Sequence, residues 1–265
     1  MYGVGFGYGA IGATTKRSGG VSYDSDAQAF FTANSTLTDV TKKNKVNQLF
    51  IDLKSYGLFS KFYAFYLLNL GDATKNKFNI VNPIDSDSAF RLVFSSGFTF
   101  SDIATTPNGA GAFAKTFLTP SSVFTDESIH LSTFGTQNVE SRYEIGCWSP
   151  ENSLLTRYGS PTTAYLVSNN GTFIGGQNTD NSGFIIGNNL GGTTSILRNN
   201  ALIATASKSF SKGGTPLAIW CSNRSSDYSA NAEYSFLPMS VATIGKGLTS
   251  QQMTDLNTCI QAYNL

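Results

Sequence analysis

Apolar and polar positions follow two different periods along this chain, and the change falls near residue 89. Before it the period is helical. Ser25 with Gln28 forms a capping box ahead of Ala29, Phe30 and Phe31. A second helix is predicted from Thr38 or Asp39. Its apolar stripe is Val46, Leu49, Phe50 and Leu53, spaced i, i+3, i+4, i+7, and Gly57 suits its C-terminal end. Residues 58–68 are aromatic and apolar and read as a short helical turn entering a strand.

From residue 89 to about 245 the grammar is that of β-structure. A dozen short apolar runs are separated by clusters of Gly, Asn, Ser and Pro. Asn199 and Asn200 stand between two such runs and predict a tight hairpin, because Asn tolerates positive φ. This many strands at this spacing predict two packed antiparallel sheets, with helices only before and after them. The chain closes on a helix: Thr249 and Gln252 form a capping box, Leu248 and Met253 flank it, and Met253, Leu256, Ile260 and Tyr263 share one apolar face.

Three regions follow. Residues 1–20 hold seven glycines interleaved with Tyr2, Val4, Phe6, Tyr8 and Ile11. Ordering so Gly-rich a segment is entropically unfavourable, so it reads as an assembly arm laid along another surface or folded back on its own domain. Residues 21–70 are helical, and 71–265 form the sandwich with its closing helix.

Charge and composition narrow the chemistry. Charged residues are only 13% of the chain and its net charge is +1, which gives no reason to expect a nucleic-acid partner. Residues 1–77 carry nine Lys/Arg against five Asp/Glu, an excess that reads as a solvated helix face. No apolar run approaches a membrane span, and no signal peptide is recognisable, so synthesis in a cytoplasm without export is expected. Cys147, Cys221 and Cys259, widely spaced in apolar surroundings, are expected to be buried reduced thiols.

Catalytic patterns are weak. The only histidine, His130, sits in an alternating strand run, where an ordinary hydrogen-bonded role fits better than that of a catalytic base. No Cys or His spacing suits zinc, and no cofactor is implied. Gly7, Gly9 and Gly12 match a dinucleotide fingerprint literally, but no strand precedes them. Asp24 with Asp26, and Asp85 with Asp87, suit the first turns of helices better than calcium loops. Glu140, Arg142 and Glu144 would share one strand face, as either a carboxylate pair for glycoside hydrolysis or two acids paired with Arg142. Loop-like stretches offer a third chemistry, sugar recognition by aromatic faces with polar neighbours. One supplies Trp148, Arg157, Tyr158, Tyr165, Asn169 and Asn170; another supplies Asn223, Arg224, Asp227 and Tyr228. Each of these also fits as a turn former or a core aromatic.

Several long motifs occur in a recognisable order: KFNIVNPIDSDSAFRLVFSSG at 77–97, ATTPNGAGAFAKTFLTP at 104–120, and ATIGKGLT at 242–249 before the terminal helix. Asp24, Ala27, Gln28, Ala29 and Phe30, and the LKSYG run at 53–57, belong to the same pattern. Residues 24–264 thereby resemble phage and prophage proteins, often from phages of Bacteroides-type bacteria, with a concanavalin A-like (laminin-G-like) jelly roll. The resemblance implies a mainly β, antiparallel jelly-roll sandwich on a virion surface, in head or tail fibres, binding host surface glycans. It implies no catalytic residues. Fibres of this kind are often trimers, so it also implies a homotrimer attached to another virion protein through residues 1–20. The ExDxxE signature of sandwich-fold glucanases is absent; EIGCWS at 144–149 stands at the nearest place. A decoration module without ligand and a polysaccharide depolymerase remain the competing readings.

Overall fold

The computed structural model describes residues 22–126, 128–159, 162–169 and 172–265. Helices α1 (Ser25–Ala33) and α2 (Val40–Ser55) lead into strand β1 (Phe62–Leu67) and a single turn, α3 (Ala73–Asn76). Short strands follow: β2 (Val93–Phe94), β3 (Phe98–Phe100), β4 (Thr105–Pro107) and β5 (Ala114–Lys115), then the turn α4 (Pro120–Val123). The long strands are β6 (Ile129–Gly135), β7 (Tyr143–Cys147), β8 (Asn152–Tyr158), β9 (Thr163–Asn169), β10 (Thr172–Gln177), β11 (Gly183–Leu190), β12 (Thr193–Arg198) and β13 (Ala201–Ser207). After β14 (Ala218–Ile219), β15 (Ser222–Asn223) and β16 (Asn231–Ala232), strand β17 (Met239–Gly245) and helix α5 (Ser250–Asn264) complete the fold.

The strands form the expected jelly-roll sandwich. Sheet 1 runs β13-β12-β11-β6-β17-β4-β3, with β1 also paired to β17. Sheet 2 runs β10-β9-β8-β7-β14-β5-β2, with β15 beside β7 and β16 beside β15. Between the sheets lie Leu131, Ile185, Ile196 and Ile244 from sheet 1, facing Ile145, Leu154, Leu166, Ile174 and Ile219 from sheet 2. Sheet 1 is buried on its other face too. Phe65, Leu67, Phe184, Ile186 and Val241 point away from the sandwich and meet the stripes of α2 and α5. β17, covered on both faces, is buried at every position, and its polar Thr243 is satisfied by His130 and Ser132. The molecule therefore has three layers: helices, sheet 1, sheet 2. Among the described residues no helix covers the outer face of sheet 2.

The stripes predicted for α2 and α5 are the buried ones, Asp39 caps α2, and both halves of the Thr249–Gln252 capping box form. Gly57, at φ +65°, follows α2. Asn199 and Asn200 take φ of 47° and 68° in the β12–β13 hairpin. The three cysteines are buried and unpaired. Other elements differ from expectation. Asp24, not Ser25, caps α1, because its carboxylate reaches the backbone N–H groups of Asp26 and Ala27. As read for residues 58–68, a helical turn at Phe59–Lys61 enters a strand, Phe62–Leu67, which pairs with β17, so the 21–70 region is not helical throughout. A helical turn, α4, interrupts the β-region where Pro120 fits the first turn, and β15 runs parallel to β7 rather than antiparallel. Residues 1–20, with the predicted arm and the glycine fingerprint, lie outside the described residues.

Candidate functional site

The outer face of sheet 2 is divided in two. Over β14 and β5 it is closed by the segment after β15. Tyr228 packs there with Phe113 and Phe117 against Ala218. Over β7 to β10 no described segment covers it, and a cleft of about 370 Å³ lies there.

Strand register sets what lines the cleft. Leu154, Leu166 and Ile174 point into the sandwich, so their neighbours Leu155, Val167 and Phe173 point out. Tyr143, Leu155, Tyr165 and Gly175 stand opposite one another across β7, β8, β9 and β10 and share this outer face. A bulge in β8 between Leu155 and Tyr158 turns Tyr158 to pair with Thr163, on the same side as Tyr165. The rings make a continuous surface: Tyr165 meets Phe173 edge-on at 5.5 Å and Tyr158 at 6.4 Å between centroids. Phe173 is 53% exposed and Tyr158 38% exposed. Gly175 makes room for the Tyr165 ring, since a Cβ there would stand 2.5 Å from it.

The polar end of the cleft is Glu151, in the turn between β7 and β8. Its carboxyl hydrogen-bonds with the Tyr143 hydroxyl. Burial pushes its pKa up, against the opposing pull of that bond and of the Arg224 charge. The Tyr143 hydroxyl is likewise held above its ordinary range, by burial and by the neighbouring Glu151. Aromatic faces beside a fixed carboxyl and a phenol present an apolar platform with a hydrogen-bonding end.

The residues foreseen for sugar recognition separate. Tyr158 and Tyr165 line the cleft. Trp148 and Arg224 pair beside it, the guanidinium carbon 4.9 Å from the indole ring centre. Arg157 donates to Asn138 Oδ1 at 3.2 Å, away from the rings. Asn169 ends β9 opposite Thr172, and Asn170 lies outside the described residues. Asn223 is fully buried, its amide donating to the Pro216 carbonyl and accepting from Ser225 N–H. Tyr228 is buried, with the N–H groups of Thr116 and Phe117 donating to its hydroxyl at 3.1 and 2.6 Å. Asp227 is exposed, and bonds from Ser229 hold its carboxyl down at about 2. Asn223 and Tyr228 are thus used by the fold. Tyr143, Glu151, Leu155, Val167 and Phe173 were not foreseen. Their signal was adjacent apolar pairs, Leu154-Leu155, Leu166-Val167 and Phe173-Ile174, in strands where only one phase faces the sandwich core.

The carboxylate constellation does not form as expected. Arg142 pairs with Glu233 at 2.6 Å rather than with Glu140 or Glu144. Glu144 is fully buried, accepting from Thr156 N–H at 2.7 Å and Ser235 Oγ at 3.2 Å, and burial pushes it up to about 7. His130 is buried, bonded to the Lys246 carbonyl at 2.6 Å and to Thr243 Oγ1 at 3.1 Å, and desolvation lowers it to about 4. Asp85 bonds to Lys77 and Arg91, and Asp24 caps α1 and bonds to Lys54. A larger cavity of about 590 Å³ lies between the start of α2, the end of α5 and sheet 1. The Lys42–Asp102 ion pair belongs to its wall, which offers no comparable aromatic platform. Among the described residues no helix is long and apolar enough to cross a membrane.

No protein-family model matches the chain. No curated protein matches it in sequence. Solved structures share its fold. Domain 4 of AbnA, a GH43 extracellular arabinanase from Geobacillus stearothermophilus, in complex with arabinotriose, superposes with TM-score 0.50 at 13% identity, covering 74% of this chain and 98% of that domain. A mutant Trypanosoma rangeli sialidase displaying trans-sialidase activity gives TM-score 0.52 at 8% identity, covering 85% of this chain and 40% of its own. The binding domain of botulinum neurotoxin serotype D/C gives 0.51 at 13% identity, covering 77% and 53%. At these identities the likeness is one of fold.

Proposed function

We propose that this jelly roll is a non-catalytic carbohydrate-binding module whose glycan ligand lies in the cleft on the outer face of sheet 2. One observation carries the reading: Tyr158, Tyr165 and Phe173 form a partly exposed aromatic platform beside the buried Glu151 carboxyl, on a sheet face that no described helix covers. A sugar ring offers an apolar face to such rings and hydroxyls to the acid. That one fold neighbour is described in complex with arabinotriose is in keeping with this reading. The resemblance of residues 24–264 to phage surface proteins supports placing the module on a virion, as a homotrimer held through residues 1–20.

The test is a glycan array followed by calorimetry on the best ligand. Phe173→Ala removes an exposed ring without opening the core. Losing such an anchor at a binding site takes about 1–3 kcal/mol, roughly 5- to 150-fold in Kd. Unchanged affinity for a bound glycan would remove the cleft from consideration. Hydrolysis of a polysaccharide by the purified chain would reinstate the depolymerase reading.

A further inference from the structure

Arg224 carries its charge beside the cleft, where it pulls on the Glu151 carboxyl. Arg91 pairs with Asp85 and Asp87, Arg142 with Glu233 and Arg198 with Asp180, while Arg157 bonds to the amide oxygen of Asn138. Among the described residues no carboxylate lies within ion-pairing distance of the Arg224 guanidinium, and the side chain is exposed. It is nevertheless held in place. Its backbone N–H donates to the Ala230 carbonyl at 2.7 Å, and its head lies over the Trp148 ring. The Trp148 backbone is held in turn, because its N–H donates to Thr215 Oγ1 and its carbonyl accepts from the same hydroxyl, both at 2.9 Å. Asp227, an acid on the same loop, is taken up by Ser229.

This fixed guanidinium adjoins the cleft. Trp148 and Glu151 are the two ends of one turn, and Glu151 lines the cleft. A stacked arginine presents N–H groups in a planar fork that fits a carboxylate. We infer that the cleft selects acidic glycans, those bearing uronic- or sialic-type carboxylates, with Arg224 binding the carboxylate of the sugar unit next to the one on the aromatic platform. The inference rests on the glycan-binding reading and adds the charge of the ligand. Burial raises the Glu151 carboxyl against the pull of the Arg224 charge, so the two groups interact across this end of the cleft.

The experiment uses the full chain on an array of oligogalacturonates, alginate and hyaluronan oligosaccharides and sialylated glycans, each beside its carboxyl-reduced counterpart. The expected result is a preference of about tenfold or more for the acidic member of a pair, as a charge-assisted bidentate contact supplies. Arg224→Gln brings the acidic-to-neutral ratio close to one, and Arg224→Lys restores part of it. Equal binding of acidic and reduced members, or a ratio untouched by Arg224→Gln, overturns the inference while leaving glycan binding in place. Absence of binding to every glycan, acidic or neutral, overturns both.

Discussion

Replacing Glu144 by Gln should make this protein more stable at neutral pH and leave it unchanged in mild acid. Glu144 is fully buried, and its carboxyl is raised from 4.5 to about 7. The folded state thus prefers the protonated acid. A raised carboxyl contributes stability that is complete below the unfolded value and is lost as pH rises through the folded one. At 1.36 kcal/mol per unit, the shift corresponds to about 3 kcal/mol lost by pH 8. Gln can still accept from Thr156 N–H, and the neighbouring hydroxyls can accept from its amide, so the variant avoids the buried charge without giving up the hydrogen bond.

His130 runs the other way. Its folded pKa is depressed from 6.5 to about 4, so it contributes stability above 6.5 that is lost as pH falls through 4. Between pH 4.5 and 6.5 unfolding releases a proton at one residue and binds one at the other, and the two slopes cancel. Urea unfolding from pH 4.5 to 8 should therefore give a nearly flat profile for the wild type over that window. Glu144→Gln should instead rise with pH, reaching about 3 kcal/mol above the wild type at pH 8 and matching it at pH 4.5. For a chain of this size that is a rise of roughly 6–12 °C in Tm. A variant whose curve runs parallel to the wild type at every pH would refute the argument, because the buried charge would then make no difference.

Two further predictions bear on the cleft and the arm. Gly175→Ala places a methyl 2.5 Å from the Tyr165 ring and should tilt that ring out of the platform, weakening glycan binding about as much as Phe173→Ala while Tm moves little; unchanged affinity would show that the ring is not part of the site. Deleting residues 2–20 should leave a soluble domain with an unaltered melting temperature that no longer assembles onto particles, and loss of the fold or normal assembly would count against an arm.

The fold was legible wherever one period ruled. The stripes Val46, Leu49, Phe50, Leu53 and Met253, Leu256, Ile260, Tyr263 could only be helix faces seeking cover, and the Asn pair at 199–200 could only be a tight turn. What the pattern could not show was the partner of each face. In β1 the run Phe62–Leu67 is apolar in both phases, a pattern that local sequence shares with a buried helix, and only pairing with β17 decides for the strand. The site was legible in part for a related reason. Tyr158 and Tyr165 were picked as loop aromatics and lie in strands. Tyr158 faces the cleft because of a one-residue bulge, and local sequence does not announce a bulge. Asn223 and Tyr228 had the right chemistry, but long-range partners at Pro216, Thr116 and Phe117 claim it.

Layering explains why the aromatic platform is where it is. A strand in a two-sheet sandwich needs apolar residues only in the phase that faces the other sheet. Sheet 1 carries them in both phases because helices cover its back. Sheet 2 over β14 and β5 carries them in both phases because the segment around Tyr228 covers it. Over β8, β9 and β10 the second apolar phase is present again, as Leu155, Val167 and Phe173, yet among the described residues nothing covers it. Apolar side chains on an uncovered sheet face contribute little to folding and raise the risk of association. Their occurrence in a stretch that no described segment covers, beside a buried acid and the exposed Arg224, fits a face that is completed by a ligand.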